Sequence, residues 1–142
     1  LIPLALDAGL GTAPAVQVFG SDYPTPDGTC IRDYIHVEDL VAAHLAALAR
    51  LEAGEVIGAI NLGTGRGYSV REVIDTAARV LGRPIPHIVA PRRAGDPPQL
   101  VADPSVAMQV LGWHLVRSDL ATIVEDALRS RGAASLLHTR SA

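Results

Sequence analysis

The stretch VQVFGSDYPTPDGTCIRDYIHVEDL, residues 16–40, decides the fold that this sequence predicts. It begins with the run 16–19, whose β-branched and aromatic residues are typical of a strand. A turn-rich run follows over 21–28, with Pro24 and Pro26 inside it. A short extended run then leads at Val37 into a segment of helical periodicity with acidic residues in its first turn. A strand, a turn, an extended run and a helix in such close succession predict an α/β layer.

Helices and strand-like runs continue to alternate outside this stretch. Ser69 and Glu72 form a capping-box pattern that begins a helix, and Gly82 ends it. The alternation predicts an α/β fold of short strands and helices with at least one parallel strand pairing. The other predicted elements are helices over 104–111 (capped by Asp103) and after the cap Ser118, and strands over 58–62 and 87–89.

The composition excludes several classes of protein. The chain has 142 residues, of which 49% are hydrophobic and 19% charged, so a single domain with a buried core is expected. The net charge of −3 argues against a nucleic-acid-binding surface. No apolar run is long enough to cross a membrane, and we expect a cytoplasmic protein. All twelve Lys or Arg residues are Arg, so lysine chemistry is excluded, and the single Cys30 excludes an internal disulfide.

Both ends of the sequence point to a fragment. Residues 1–6, LIPLAL, open without Met or a capping residue, and residues 132–142 have no periodic pattern. We therefore predict one domain over 1–131, a flexible tail over 132–142, and a preceding domain that is missing. Residues 1–15 and the faces of the strands are expected to expose apolar surface on which that domain would pack.

No complete active site is recognisable from the residues alone. The run 63–67, GTGRG, follows a predicted strand and precedes a helix, but Tyr68 occupies the position of the third glycine in a dinucleotide fingerprint. A tight strand-to-helix turn is the better interpretation. The five His residues lack metal-ligand spacing, so no metal is expected. His44 lies on a predicted helix, where a hydrogen-bonded structural role is favoured.

Two Arg-bearing loops remain as a candidate site. Arg32 lies in the extended run after the turn, and Arg92 and Arg93 lie in the Pro-rich run 91–98. Two guanidinium groups that converge from separate loops would suit a diphosphate, and a nearby carboxylate such as Asp96 could accept hydrogen bonds from sugar hydroxyls. Simple surface ion pairs with Asp33 and Asp96 explain the same residues equally well.

A resemblance to a known family favours the first interpretation. Residues 19–40, FGSDYPTPDGTCIRDYIHVEDL, resemble the signature of the UDP-glucose 4-epimerases, which are extended short-chain dehydrogenase/reductase proteins. The later runs INLGTG (60–65), PRRAGD (91–96) and LGW (111–113) are similar to this family in the same order. The likeness covers roughly residues 1–131, and the long run from Asp22 to Val37 is its most specific part.

The resemblance implies an NAD-dependent UDP-glucose/UDP-galactose 4-epimerase of galactose metabolism, an isomerase that inverts sugar C4 through a 4-keto intermediate. In that family an N-terminal domain binds NAD, and a Tyr-x-x-x-Lys pair performs the proton chemistry. Because this chain has no Lys, it resembles the C-terminal, UDP-sugar-binding part of the fold. The resemblance therefore implies that this part holds no catalytic residue, is inactive alone and belongs to a homodimer at full length.

The family's binding residues carry over by position. Arg32 and Arg93 would grip the diphosphate, Asp96 would contact the ribose, and the run Gln17-Val18-Phe19 would flank the uracil. The chain departs from the family at Leu100, where many members have Tyr. Two other functions stay open: part of a nucleotide-sugar 4,6-dehydratase, and a non-catalytic nucleotide-sugar-binding module.

Overall fold

The fold was analysed in a computed structural model that describes residues 1–132. The predicted tail, 132–142, therefore lies outside the described residues except for Gly132. Five helices and five strands follow one another along the described part of the chain. They are α1 (Ile2–Leu10), β1 (Val16–Phe19), β2 (Ile31–Asp33), α2 (Val37–Glu52), β3 (Gly67–Ser69), α3 (Val70–Leu81), β4 (His87–Ala90), β5 (Gln99–Leu100), α4 (Ser105–Leu111) and α5 (Leu120–Arg129).

The strands form two small sheets. In the first, β1 and β4 pair in parallel, with Val16 opposite His87 and Phe19 opposite Ala90. In the second, the strand order is β3-β2-β5; β3 is antiparallel and β5 parallel to the central β2. The predicted α/β class, with short strands, helices and a parallel pairing, is confirmed.

The main core lies between α1, α3, α5 and β1. The side chains of Leu6, Val73, Val124 and Leu128 are fully buried in it. The amphipathic helix α3 supplies the centre and has the predicted ends: Ser69 and Glu72 form the capping box, and Gly82 adopts the left-handed conformation after the last turn. The periodic apolar positions of α3 thus determine which of its faces packs inward.

The prediction that residues 1–15 expose apolar surface holds only in part: Leu4 is 60% exposed, but Ile2, Ala5, Leu6 and Ala8 of α1 are buried in the core. Exposed apolar side chains also lie on the strands, at Ile88, Val89 and Leu100, and on one face of α2, where five large side chains are at least half exposed. They are Val37, Val41, Leu45, Leu48 and Leu51. No helix among the described residues is both long and apolar enough to cross a membrane.

One predicted element is missing, and several boundaries differ from the sequence predictions. Residues 58–62 form no strand, because no other described segment pairs with them; Ile60 and Leu62 pack beside the buried Trp113 instead. Asp119, and not Ser118, caps α5 through a hydrogen bond from the Thr122 N–H. α4 begins at Ser105, one residue after the expected start.

Candidate functional site

A cleft of about 600 Å³ opens beside β1 and β2. Five of the six residues predicted to bind substrate line it: Gln17, Phe19, Arg32, Arg93 and Asp96. They come from two strands and from the loop after β4. The fold thus brings together residues that are up to 79 positions apart in the sequence.

Val18 is the exception. The burial pattern of β1 alternates, and the Val18 side chain lies in the main core, 4% exposed. Its neighbours Gln17 and Phe19 line the cleft on the strand's other face. Val18 itself is therefore not among the residues that line the cleft.

Arg32 is held on the wall of the cleft by two hydrogen bonds. One guanidinium nitrogen donates to Asp96 Oδ1 at 2.8 Å, and the other donates to the Ile31 carbonyl oxygen at 2.7 Å. Pairing of β2 with β5 places Arg32 opposite Leu100 and brings the segment after Asp96 alongside β2. The ion pair expected as a surface alternative thus forms with Asp96, but it forms within the cleft.

Asp33, the other expected ion-pair partner, faces away from the arginines. Its carboxylate accepts hydrogen bonds from the Thr64 N–H, the Thr64 hydroxyl and the Ala102 N–H. Gly63 is required beside it, since a Cβ there would lie 2.4 Å from Asp33 Oδ2. The glycine-rich loop therefore wraps around the Asp33 carboxylate. Its Thr64 N–H already donates a hydrogen bond to that group.

Arg92 and Arg93 are adjacent in sequence but have different surroundings. The Arg92 Nε donates to Asp22 Oδ1 at 2.6 Å, and its guanidinium lies 4.2 Å from the centroid of the Tyr23 ring. This hydrogen bond lowers the pKa of the Asp22 carboxyl. The Arg93 guanidinium instead lies 3.8 Å from the centroid of the Phe19 ring, at the cleft.

The distinctive run between β1 and β2 is fixed by hydrogen bonds within the protein. Asp27 accepts hydrogen bonds from the Thr29 N–H and hydroxyl, and from the Ser69 hydroxyl that also caps α3. Burial opposes ionisation of Asp27, but these hydrogen bonds outweigh it and lower its pKa. Gly28 has φ +80°, and a Cβ there would lie 2.2 Å from the Ser21 carbonyl oxygen. This part of the signature therefore shapes the loop behind the cleft.

The junction between β2 and α2 is tied to α5. His36 caps α2, since its Nδ1 accepts a hydrogen bond from the Glu38 N–H at 3.0 Å, and its Nε2 lies 3.1 Å from Asp126 Oδ2. The His36 N–H also donates to the Ser118 hydroxyl. These contacts fix the end of the segment that carries Arg32.

Tyr34 and Cys30, for which no binding role was predicted, also line the cleft. Both lie two positions from Arg32. Because side chains alternate between the two faces of an extended run, the sequence could have predicted that they share a face with Arg32. Burial raises the pKa of the Tyr34 hydroxyl although the Arg32 charge opposes this, so Tyr34 is a neutral hydrogen-bonding group. Leu100, 63% exposed, is not among the lining residues.

Comparison with known proteins finds similarity to one family. Residues 2–63 match the model of the NAD dependent epimerase/dehydratase family. A UDP-glucose 4-epimerase from Streptomyces lividans is 55% identical over 127 residues, which are 89% of this chain and 38% of that protein. The chain therefore spans little more than a third of this relative's length.

Two solved structures give the same result. That of a UDP-glucose 4-epimerase from Brucella ovis in complex with NAD has a TM-score of 0.86 and 49% identity, and the match covers 96% of this chain and 41% of that one. That of a Bifidobacterium longum UDP-glucose 4-epimerase in complex with NAD⁺ and UDP has a TM-score of 0.83 and 38% identity, with 96% and 40% covered.

The fold is thus a part of the extended short-chain dehydrogenase/reductase fold, as predicted. Within that class the chain is similar to UDP-glucose 4-epimerases over 89–96% of its own length, which confirms the resemblance seen in its sequence.

Proposed function

We propose that this chain is the UDP-sugar-binding, C-terminal part of an NAD-dependent UDP-glucose/UDP-galactose 4-epimerase. The observation that carries the proposal is the cleft, in which Arg32, Arg93 and Asp96 converge beside the strand that bears Gln17 and Phe19. At full length the protein would act in galactose metabolism in the cytoplasm, as a homodimer. It would invert sugar C4 through a 4-keto intermediate.

Each residue of the cleft has a distinct part in holding the nucleotide. Arg93 presents an exposed guanidinium that can donate two parallel hydrogen bonds to phosphate oxygens. Arg32, already oriented by Asp96, adds a second cation nearby. Asp96 keeps a second carboxylate oxygen that can accept a hydrogen bond from a ribose hydroxyl. The backbone of β1 would flank the uracil.

This placement of the charged residues suits a reaction in which the sugar must turn over while the nucleotide stays bound. The charged groups of this site grip the diphosphate and ribose and leave the hexose few contacts. Binding energy is then concentrated away from the reacting carbon, where strong ground-state contacts would only slow the reorientation.

NAD would be bound mainly by an N-terminal domain of the longer protein. The best candidate loop in this chain, at 63–67, is engaged with Asp33 and does not fit a pyrophosphate. When bound, NAD supplies the hydride acceptor and donor of the reaction. The proton-transfer pair of the family includes a Lys, and the sequence contains none. We therefore expect the 142-residue chain alone to be inactive.

Two measurements test this proposal. Titration of the full-length protein with UDP should show binding that Arg93→Ala weakens, and conversion of UDP-galactose to UDP-glucose should be detected only at full length. Formation of a 4-keto-6-deoxy sugar would indicate a 4,6-dehydratase instead. Turnover by the purified 142-residue chain, or absence of UDP binding at full length, would contradict the assignment.

A further inference from the structure

Arg93 is held by an aromatic ring and by no carboxylate. Its guanidinium carbon lies 3.8 Å from the centroid of the Phe19 ring. Within residues 1–132 it forms no ion pair, whereas Arg32 pairs with Asp96 and Arg92 pairs with Asp22. We propose that Phe19 is a positioning residue for Arg93, holding the guanidinium where it binds the diphosphate. This inference rests on the proposed function.

The parallel pairing of β1 and β4 creates this stack. Phe19, the last residue of β1, lies opposite Ala90, the last residue of β4, and the Gly20 N–H donates to the Ala90 carbonyl oxygen at 2.8 Å. The chain continues from Ala90 through two residues to Arg93. The register of the two strands therefore places Arg93 over the ring of Phe19 without any ligand.

A ring suits this position better than a carboxylate would. A carboxylate orients an arginine by using its N–H groups and neutralising its charge, and it then competes with the phosphate. An aromatic ring contacts the face of the planar guanidinium, so the N–H groups at its edge stay available. The stack also limits the rotamers of an exposed side chain, which reduces the ordering cost of ligand binding.

The test is a double-mutant cycle measured by UDP titration of the full-length protein. Phe19→Leu, which keeps an apolar side chain without the ring, is combined with Arg93→Ala, and Phe19→Tyr is the conservative variant. Gln17→Leu is the matched control, because Gln17 lines the same cleft from the same strand without contacting Arg93 through a stack. Phe19→Met replaces Phe19→Leu if the latter fails to fold.

We expect Phe19→Leu to weaken UDP binding by about threefold to tenfold, the range of a cation–π contact. The loss should fall below about twofold in the Arg93→Ala background, Phe19→Tyr should stay within about twofold of the original protein, and Gln17→Leu should act additively with Arg93→Ala. Equal losses in both Arg93 backgrounds, or equal losses for Tyr and Leu, would show that Phe19 acts on the base alone and overturn the inference. Failure of the original protein to bind UDP would instead overturn the proposed function, and this inference with it.

Discussion

Replacement of Arg93 by Ala should weaken UDP binding far more than replacement of its neighbour Arg92. Arg93 lines the cleft and forms no ion pair within the described residues, so its N–H groups are available to a ligand. Arg92 already donates to Asp22 and stacks on Tyr23. Adjacent positions in one loop thus provide a test residue and its control.

The magnitude follows from the hydrogen bonds that each arginine can form. A hydrogen bond to a charged group contributes about 1.5–3 kcal/mol, and a guanidinium can donate two to one phosphate. If the lost interaction is worth between one such bond and two at the lower end of this range, about 1.5–3 kcal/mol, then at about 1.4 kcal/mol per decade Arg93→Ala should reduce affinity by about tenfold to somewhat over a hundredfold. Arg92→Ala breaks an ion pair whose side chains are 42% and 73% exposed, worth about 0–1 kcal/mol, so its effect should stay below about fivefold.

Calorimetric titration of both alanine variants of the full-length protein with UDP measures this difference. Arg93→Lys should rescue only in part, because an ammonium group cannot reproduce two parallel hydrogen bonds. Equal losses for the two alanine variants, or a loss below tenfold for both, would refute the assignment of Arg93 to the diphosphate.

Three further predictions concern stability, measured by urea denaturation. Asp33→Ala should lower the free energy of unfolding by about 2–4 kcal/mol, since three donors lose a charged acceptor; a loss below 1 kcal/mol would contradict its structural role. Gly28→Ala should lower the free energy of unfolding by at least about 1 kcal/mol more than the control Gly54→Ala. Both glycines have positive φ, but only a Cβ at Gly28 would clash with the Ser21 carbonyl group. Equal losses for the two variants would exclude the clash. Burial raises the pKa of the Asp39 carboxyl, but its hydrogen bonds from Ser118, Arg117 and Val116 together outweigh burial and lower the pKa overall. The stabilising effect of Asp39 is therefore complete above about pH 5 and lost as the pH falls below about 4. Asp39→Asn should be less stable at pH 7, with a deficit that narrows in acid, and a deficit independent of pH would refute this cause.

Local signals predicted the helices well. Both ends of α3 follow from Ser69, Glu72 and Gly82, residues that determine helix ends within a few positions of the chain. Residues 58–62 show the limit of this reasoning. Their composition is that of a strand, but a strand also needs a partner, and none of the described segments provides one.

The candidate site depended on the resemblance. Physical reasoning alone left Arg32 undecided between a ligand and an ion pair, because the pairing with Asp96 joins residues 64 positions apart. That contact is set by the pairing of β2 with β5, a strand of only two residues that no local pattern reveals. The alternation of β1, in contrast, was available from the sequence and would have placed the Val18 side chain in the core.

Part of the family signature shapes the fold and does not line the cleft. Asp27 and Gly28 shape the loop. Asp27 accepts hydrogen bonds from Thr29 and Ser69, and Gly28 has no room for a Cβ beside Ser21. Arg93, in the shorter run after β4, is held by a ring, and no carboxylate among residues 1–132 pairs with its donors. Groups already paired inside a fold must break a contact before they bind a ligand, while a held but unpaired cation need not. The search for the binding residues should therefore begin with charges that the fold orients without neutralising, and in this cleft that criterion selects Arg93.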